Sequence, residues 1–330
     1  MKKIIILLVS IFMLMSLAAC SPKEETPVDT GSDVKTYKVG VAIYKYDDNF
    51  MTLYREELVN YFKTLETDTV KYQVDVMDGK GDQGEQTNQI NNFISGNYDV
   101  IIANLVQPTA ASVTTAACKE AGIPVVYINR EPDNADLVSY EGKATYVGAD
   151  ARQSGTYQGE IIANLPDKGD VNGDSTVDYV MIMGDPDNVD AQYRTEFSIK
   201  ALTDAGITVN CLVQQRGDWD TAKGQQIAAD ALSQYGDKID VIFCNNDGMA
   251  LGALQAINDA GRKVGEDIYL VGVDALDEVV ELVNNGGITG TVLNDHIGQS
   301  HTAVDAAVKA INGEALETYY WVDYQKVTAK

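Results

Sequence analysis

The sequence predicts an α/β protein of two doubly wound lobes, each built on a mainly parallel sheet. Three observations predict it. First, 330 residues is about two domains' worth of chain. Second, from residue 37 onward short β-branched runs alternate with longer helix-compatible stretches, the signature of βαβ units. Third, the halves echo each other: Asn97-Tyr98-Asp99-Val100-Ile101-Ile102-Ala103-Asn104 recurs as Lys238-Ile239-Asp240-Val241-Ile242-Phe243-Cys244-Asn245. Gly122-Ile123 and Gly206-Ile207 repeat in the same way, each closing a helix before the next strand.

Taken in order, the chain opens on Lys2 and Lys3, an apolar run from Ile4 to Met15, and Leu17-Ala18-Ala19-Cys20. Positive, then hydrophobic, then small is the order of a bacterial secretory signal, and the run is too short for a membrane span. Leu-Ala-Ala-Cys resembles the lipobox of bacterial lipoproteins, so residues 1–19 are expected to be removed and Cys20 to carry lipid. Residues 20–36 are polar, aperiodic and Pro-containing, as suits a tether. The strands expected after it are Lys38–Ile43, Tyr72–Met77, Asp99–Ala103, Pro124–Ile128, Tyr179–Met183, Thr208–Val213, Val241–Cys244, Tyr269–Val273 and Thr289–Val292. Helical patterns lie between them at Met51–Leu65, Gln86–Ile94, Thr109–Ala121, Thr156–Leu165, Ala191–Ala205, Thr221–Gln234 and Met249–Ala260, and a last helix carries His296 and His301. These histidines are five apart and share no face, so they form no metal pair. Cys118, Cys211 and Cys244 are odd in number and are read as unpaired core residues.

Composition narrows the function. Hydrophobic residues at 45% and charged residues at 22% are globular values, and the net charge of −24 repels nucleic acid. In doubly wound sheets ligands sit beyond the carboxyl ends of the strands. There the sequence places Asp47-Asp48-Asn49-Phe50, Asn129-Arg130-Glu131, Asp187-Asn188-Val189-Asp190 with Arg194, Asp218-Trp219-Asp220, Asn245-Asn246-Asp247, Asp274-Ala275 and Asn294-Asp295. Singly, each Asp or Asn reads as a helix cap or turn residue. Together, two-sided hydrogen-bonding groups with an Arg and two aromatic rings match a sugar, whose hydroxyls both donate and accept and whose C–H faces stack on rings. Gly81-Asp82-Gln83-Gly84 is a turn before a helix and not a phosphate cradle. The same acids could serve a glycan-processing hydrolase, whose chemistry needs two flanking carboxyls.

Ile43-Tyr44-Lys45-Tyr46-Asp47-Asp48-Asn49-Phe50-Met51, Pro124-Val125-Val126 with Asn129 and Glu131-Pro132, Trp219-Asp220-Thr221-Ala222, Asn245-Asn246-Asp247, Gly272-Val273-Asp274-Ala275-Leu276 and Gly290-Thr291-Val292-Leu293-Asn294-Asp295 resemble the galactose/glucose-binding proteins of bacterial ABC sugar importers. The resemblance covers residues 37–322. It implies the type I solute-binding fold, two lobes joined by a three-segment hinge: residues 37–147 with 295–321, and residues 148–294 with 322–330. It further implies a hexose held between Phe50 and Trp219, with polar contacts from Asp48, Asn129, Asp190, Arg194, Asn246, Asp274 and Asn294. Asn188 stands where the family carries His, and keeps one donor and one acceptor.

Asp170-Val171-Asn172-Gly173-Asp174-Ser175-Thr176-Val177-Asp178 spaces oxygen-bearing residues as an EF-hand loop does, which predicts a structural Ca²⁺. Position six is Ser175 rather than Gly and position twelve is Met181 rather than Glu. The resemblance implies a shell of Asp170, Asn172, Asp174, the Thr176 carbonyl and Asp178, completed by the distant Asp240. The expected protein is thus an exported, lipid-anchored binder of galactose and/or glucose without catalysis. It would deliver sugar to the membrane subunits of an ABC importer and could also signal to a chemoreceptor. The alternatives are a hydrolase on the cleft acids or a binder of a different small sugar. A ligand-sensing repressor is set aside, since residues 1–36 hold a signal where a DNA-binding headpiece would stand.

Overall fold

The computed structural model describes residues 34–329, so the expected signal, Cys20 and the tether up to residue 33 lie outside the described residues. Two six-stranded sheets organise the chain. The first runs in the order β11-β5-β4-β3-β1-β2 and comprises β1 (Lys35–Ile43), β2 (Val70–Asp78), β3 (Val100–Ala103), β4 (Val125–Ile128), β5 (Ala144–Gly148) and β11 (Tyr319–Trp321). The second runs β12-β10-β9-β8-β6-β7 and comprises β6 (Val177–Met183), β7 (Val209–Arg216), β8 (Val241–Cys244), β9 (Tyr269–Val271), β10 (Gly290–Leu293) and β12 (Gln325–Thr328). Every pairing is parallel except that of β10 with β12. The order reverses beside β1 and β6, which opens a crevice at the carboxyl ends of the strands.

The helices are α1 (Asn49–Thr64), α2 (Gln83–Ser95), α3 (Ala111–Ala121), α4 (Asn134–Val138), α5 (Ala151–Ala163), α6 (Val189–Asp204), α7 (Thr221–Tyr235), α8 (Asp247–Asp259), α9 (Asp277–Asn284) and α10 (His296–Ile311). They cover both faces of each sheet, so the central strands are buried on both sides and read as continuous apolar runs. In β1, Val39, Val41 and Ile43 pack under α1 and α10, while Ala42 faces the opposite core with Ile90 and Phe93. In the second lobe β8 divides likewise, Ile242 and Cys244 towards one core, Val241 and Phe243 towards the other.

The chain passes between the sheets three times. It leaves the first between β5 and α5, returns after β10 into α10, which packs on α1 and the first sheet, and leaves again between β11 and β12. All nine strands expected from sequence are present, with shifted ends. β1 begins at Lys35, so Lys35 and Thr36, assigned to the tether, are paired with Val70 and Lys71. β5, β11, β12, α4 and α9 were not expected. β11 is three residues long and β12 is largely exposed, so neither carries the apolar run that marks a strand. Cys118 and Cys244 are buried free thiols, but Cys211 is exposed, which corrects its assignment to the core. It lies on the edge strand β7, where a register shift against β6 at Tyr179/Val180 breaks the alternation of faces.

Candidate ligand-binding cleft

A cleft of about 320 Å³, its mouth included, is lined by Tyr44, Asp48, Phe50, Asn129 and Arg130 from the first lobe, by Asn188, Asp190, Arg194, Trp219 and Asp274 from the second, and by Asn294 at a crossing. Asp48 follows β1 and serves two purposes with two oxygens. Oδ1 accepts the Met51 N–H at 2.7 Å and caps α1, while Oδ2 accepts the Tyr44 hydroxyl at 2.6 Å. Asn188 caps α6 through Oδ1, leaving its amide N–H₂ to the cleft. Capping and lining are thus compatible at both residues.

Arg194 is the polar centre. Nη1 donates to the Asn245 carbonyl at 2.7 Å and Nη2 to the Tyr324 hydroxyl at 3.1 Å. Asp190 Oδ2 stands 3.7 Å and Asp274 Oδ1 4.0 Å from the guanidinium. Burial pushes the Asp190 carboxyl up to about 6 against the pull of Arg194 and Arg130, and burial likewise raises Asp274 against the pull of Arg194. Arg130 donates from Nη1 to the Val106 carbonyl at 2.6 Å and lies over the Tyr44 ring at 3.9 Å. Across the cleft mouth it meets Asp185 of the second lobe at 3.5 Å, and Asp185 also meets Arg216 at 3.6 Å. The Nε–H groups of Arg130 and Arg194 are both buried without a partner. Such donors are costly unless something in the cleft accepts from them.

Several lining residues occupy backbone conformations that side chains rarely adopt: Asn129 at φ 61°, Trp219 at φ 66° and Asp274 at φ 124°. Strain of this kind concentrates at ligand sites. The indole of Trp219 lies so close over Gly184 that a Cβ there would overlap it. Of the residues singled out from sequence, Asp48, Phe50, Asn129, Asn188, Asp190, Arg194, Trp219, Asp274 and Asn294 line this one cleft. Asn246 does not. Its Oδ1 caps α8 by accepting the Met249 N–H, and its Nδ2 donates to the Trp219 carbonyl, so it secures the indole's turn from behind. Tyr44 and Arg130 were not singled out, although Tyr44 stands inside a motif quoted for the resemblance and Arg130 among the residues that follow the fourth strand.

The 170–178 loop forms nested Asx turns. Asp170 accepts the N–H groups of Gly173, Asp174 and Ser175, Asn172 that of Asp174, and Asp174 that of Thr176. Ser175 takes the positive φ of 73° that position six of the loop demands. Asp240 reaches the loop from the next lobe strand, accepting from Asn172 N–H and Asp178 N–H. The donor set is hard oxygen and suits Ca²⁺. Among the described residues, however, no three carboxylate, His or Cys side chains converge as a metal cluster, and Lys238 Nζ stands 3.5 Å from Asp178.

Two lobes closing polar groups and two rings round a small cleft define a binding protein for a small polar solute. The chain belongs to the periplasmic binding protein family: the model of the periplasmic binding protein domain matches residues 39–315. It is 36% identical to the D-galactose/methyl-galactoside binding periplasmic protein of Haemophilus influenzae, over 84% of this chain and 82% of that one. It is 34% identical to a putative rhizopine-binding protein of Rhizobium meliloti, over 91% and 92% of the two chains. A solved ABC transporter solute binding protein from Bacillus halodurans with bound myo-inositol superposes with a TM-score of 0.77 at 28% identity, covering 91% of this chain and 96% of that one. The chain is a solute-binding protein and not an enzyme, which removes the hydrolase alternative. Among the described residues no helix is long and apolar enough to cross a membrane.

Proposed function

We propose that the protein captures galactose and glucose between its lobes and delivers them to the membrane subunits of an ABC sugar importer. The observation that carries this reading is the cleft's inventory: Phe50 and Trp219 from opposite lobes, acceptors on Asp48, Asp190 and Asp274, and two buried guanidinium Nε–H donors lacking partners. Each cleft Arg already faces a carboxylate, so a neutral polyol fits better than an anionic sugar. Export and lipid anchoring through Cys20 complete the proposal, with a chemoreceptor as a second reader of the ligand-bound form.

Calorimetric titration with D-galactose, D-glucose, D-ribose and myo-inositol tests the assignment. Both hexoses should bind. Ribose should bind at least about tenfold more weakly, because its pyranose form lacks the C6 hydroxymethyl group that a hexose offers to the cleft. Tighter binding of ribose or myo-inositol would transfer the assignment to that class.

We propose in addition that the 170–178 loop, with Asp240, takes a structural Ca²⁺. The nested Asx turns and the left-handed Ser175 support this reading, while Lys238 competes for Asp178. Chelator-treated protein should gain thermal stability on adding Ca²⁺, and Asp170→Ala should abolish the gain. Identical melting with and without Ca²⁺ would leave the loop as a hydrogen-bonded turn alone.

A further inference from the structure

Asp247 is fully buried at the first position of α8, does not line the cleft, and spends its carboxylate on neither its own helix nor any cation. Oδ2 accepts the Leu276 N–H at 2.9 Å and Oδ1 accepts the Thr291 hydroxyl at 2.7 Å. The Thr291 Oγ1 in turn accepts the Ala275 N–H at 3.4 Å, and the Asp247 N–H donates to the Val273 carbonyl at 2.7 Å. Every partner belongs to β10 or to the turn that leaves β9. That turn holds two consecutive non-glycine residues at positive φ, Asp274 at 124° and Ala275 at 54°. Residues in this conformation are strained and persist only where surrounding bonds enforce it. Gly272 makes the arrangement possible, since a Cβ there would overlap Asp247 Oδ1. Asp274 itself presents Oδ1 to Arg194 and to the Asn294 Nδ2 at 3.3 Å.

We propose that Asp247 is a positioning residue for the cleft. Its buried carboxylate clamps residues 274–276 from behind and so holds Asp274 in the strained backbone conformation in which it lines the cleft. An acid in the first turn of a helix is favourable on its own account. That ordinary role, however, does not require full burial or bonds to a neighbouring turn. Burial pushes the Asp247 carboxyl above its usual range, opposed by the Thr291, Leu276 and Ala275 hydrogen bonds, so these bonds keep a costly group in place.

The ligand arm of the test rests on the hexose reading, and the first arm does not. Hydrogen–deuterium exchange of the ligand-free protein reads the clamp directly. In Asp247→Ala, and in the milder Thr291→Val, residues 272–280 should exchange at least about tenfold faster than in the parent. Thr291→Val carries both arms if Asp247→Ala does not fold. The second arm is a double-mutant cycle by calorimetry with D-galactose. Asp247→Ala should weaken binding at least about tenfold in the parent, but less than about twofold in an Asp274→Asn background. A residue that merely supports the fold would lower affinity equally in both. Equal losses, or unchanged exchange across 272–280, would overturn the proposal. A parent that binds no hexose would sink the hexose reading while the exchange arm still decides this one.

Discussion

Asp48 shows how one carboxylate can cap a helix and line a cleft. The two tasks use different oxygens, Oδ1 on the Met51 N–H and Oδ2 towards Tyr44 and the cleft. Asp48→Asn keeps an acceptor for the cap but loses the charge, whereas Asp48→Ala loses both. Binding should therefore fall at least about tenfold in either variant, since a buried donor on the sugar loses its charged acceptor. Stability should fall by about 1 kcal/mol only in the alanine variant, the usual worth of a cap. Calorimetry and thermal melts separate the two, and equal melting of the variants would mean that the cap is not what Asp48 contributes. At this scale the sequence was informative but ambiguous. Asp and Asn after nearly every strand read singly as caps and only together as a ligand site; Asp48 and Asn188 both cap a helix and line the cleft, while Asn246 caps α8 from behind it. Arg130 was passed over because a lone basic residue after a strand carries no pattern. What distinguishes it is the Tyr44 ring beneath it and Asp185 opposite, and no spacing encodes either.

At the level of elements, glycine sets how closely the helices that carry the cleft residues can approach. α5 crosses α6 so closely that a Cβ on Gly155 would stand 2.9 Å from the Tyr193 and Arg194 carbonyl oxygens, and one on Gly159 would overlap the Ser198 carbonyl and Ala201. α6 carries Asp190 and Arg194, so its distance from α5 decides where the guanidinium sits. Gly159→Ala should cost roughly 1–3 kcal/mol by overpacking and lower sugar affinity as α6 is pushed outward, both measurable by melt and titration. An unchanged affinity would show that α6 can shift without moving Arg194. Most strands expected from sequence, such as β3, β4 and β8, carry continuous apolar runs because burial on both faces writes itself into composition; β5 is equally buried but was missed, its Thr145 and Gly148 breaking the run. The repeated motif ending in Asn104 and Asn245 was legible too, and its purpose now has a physical account. Each Asn is fully buried after the third strand of its lobe. Its Oδ1 accepts a backbone N–H at the end of that lobe's first strand, Tyr44 in one lobe and Gly184 in the other. β11 and β12 were not legible, since strands this short exist only through the partners they find, and the three crossings were expected only from the resemblance.

For the molecule as a whole, Arg130, Asp185 and Arg216 form a charged contact between the lobes. Asp185 does not itself line the cleft, so removing its charge tests closure while leaving every lining residue in place, although Arg130 loses its partner. Asp185→Asn should weaken hexose binding about threefold to tenfold and flatten its dependence on ionic strength, as expected when a partly buried pair across an interface is lost. Closure itself can be read from Trp219 emission in a Trp321→Phe background. An affinity and salt response equal to the parent's would show that the contact follows closure and does not favour it. The threefold crossing of the chain has another consequence, in the order of assembly. Tyr54, Leu58 and Phe62 of α1 are covered by Ala303, Val304 and Ala307 of α10, and the free edge of β5 is closed only by β11. During synthesis the first lobe therefore waits, open along one edge and one face, until residue 321 has left the ribosome, after the whole of the second lobe except its last strand. Its earliest residues must find partners more than two hundred positions away, as Tyr54 does with Gln299 at a separation of 245. Pairings of that reach are slow to form. The finished first lobe is thus a late event in the life of the chain.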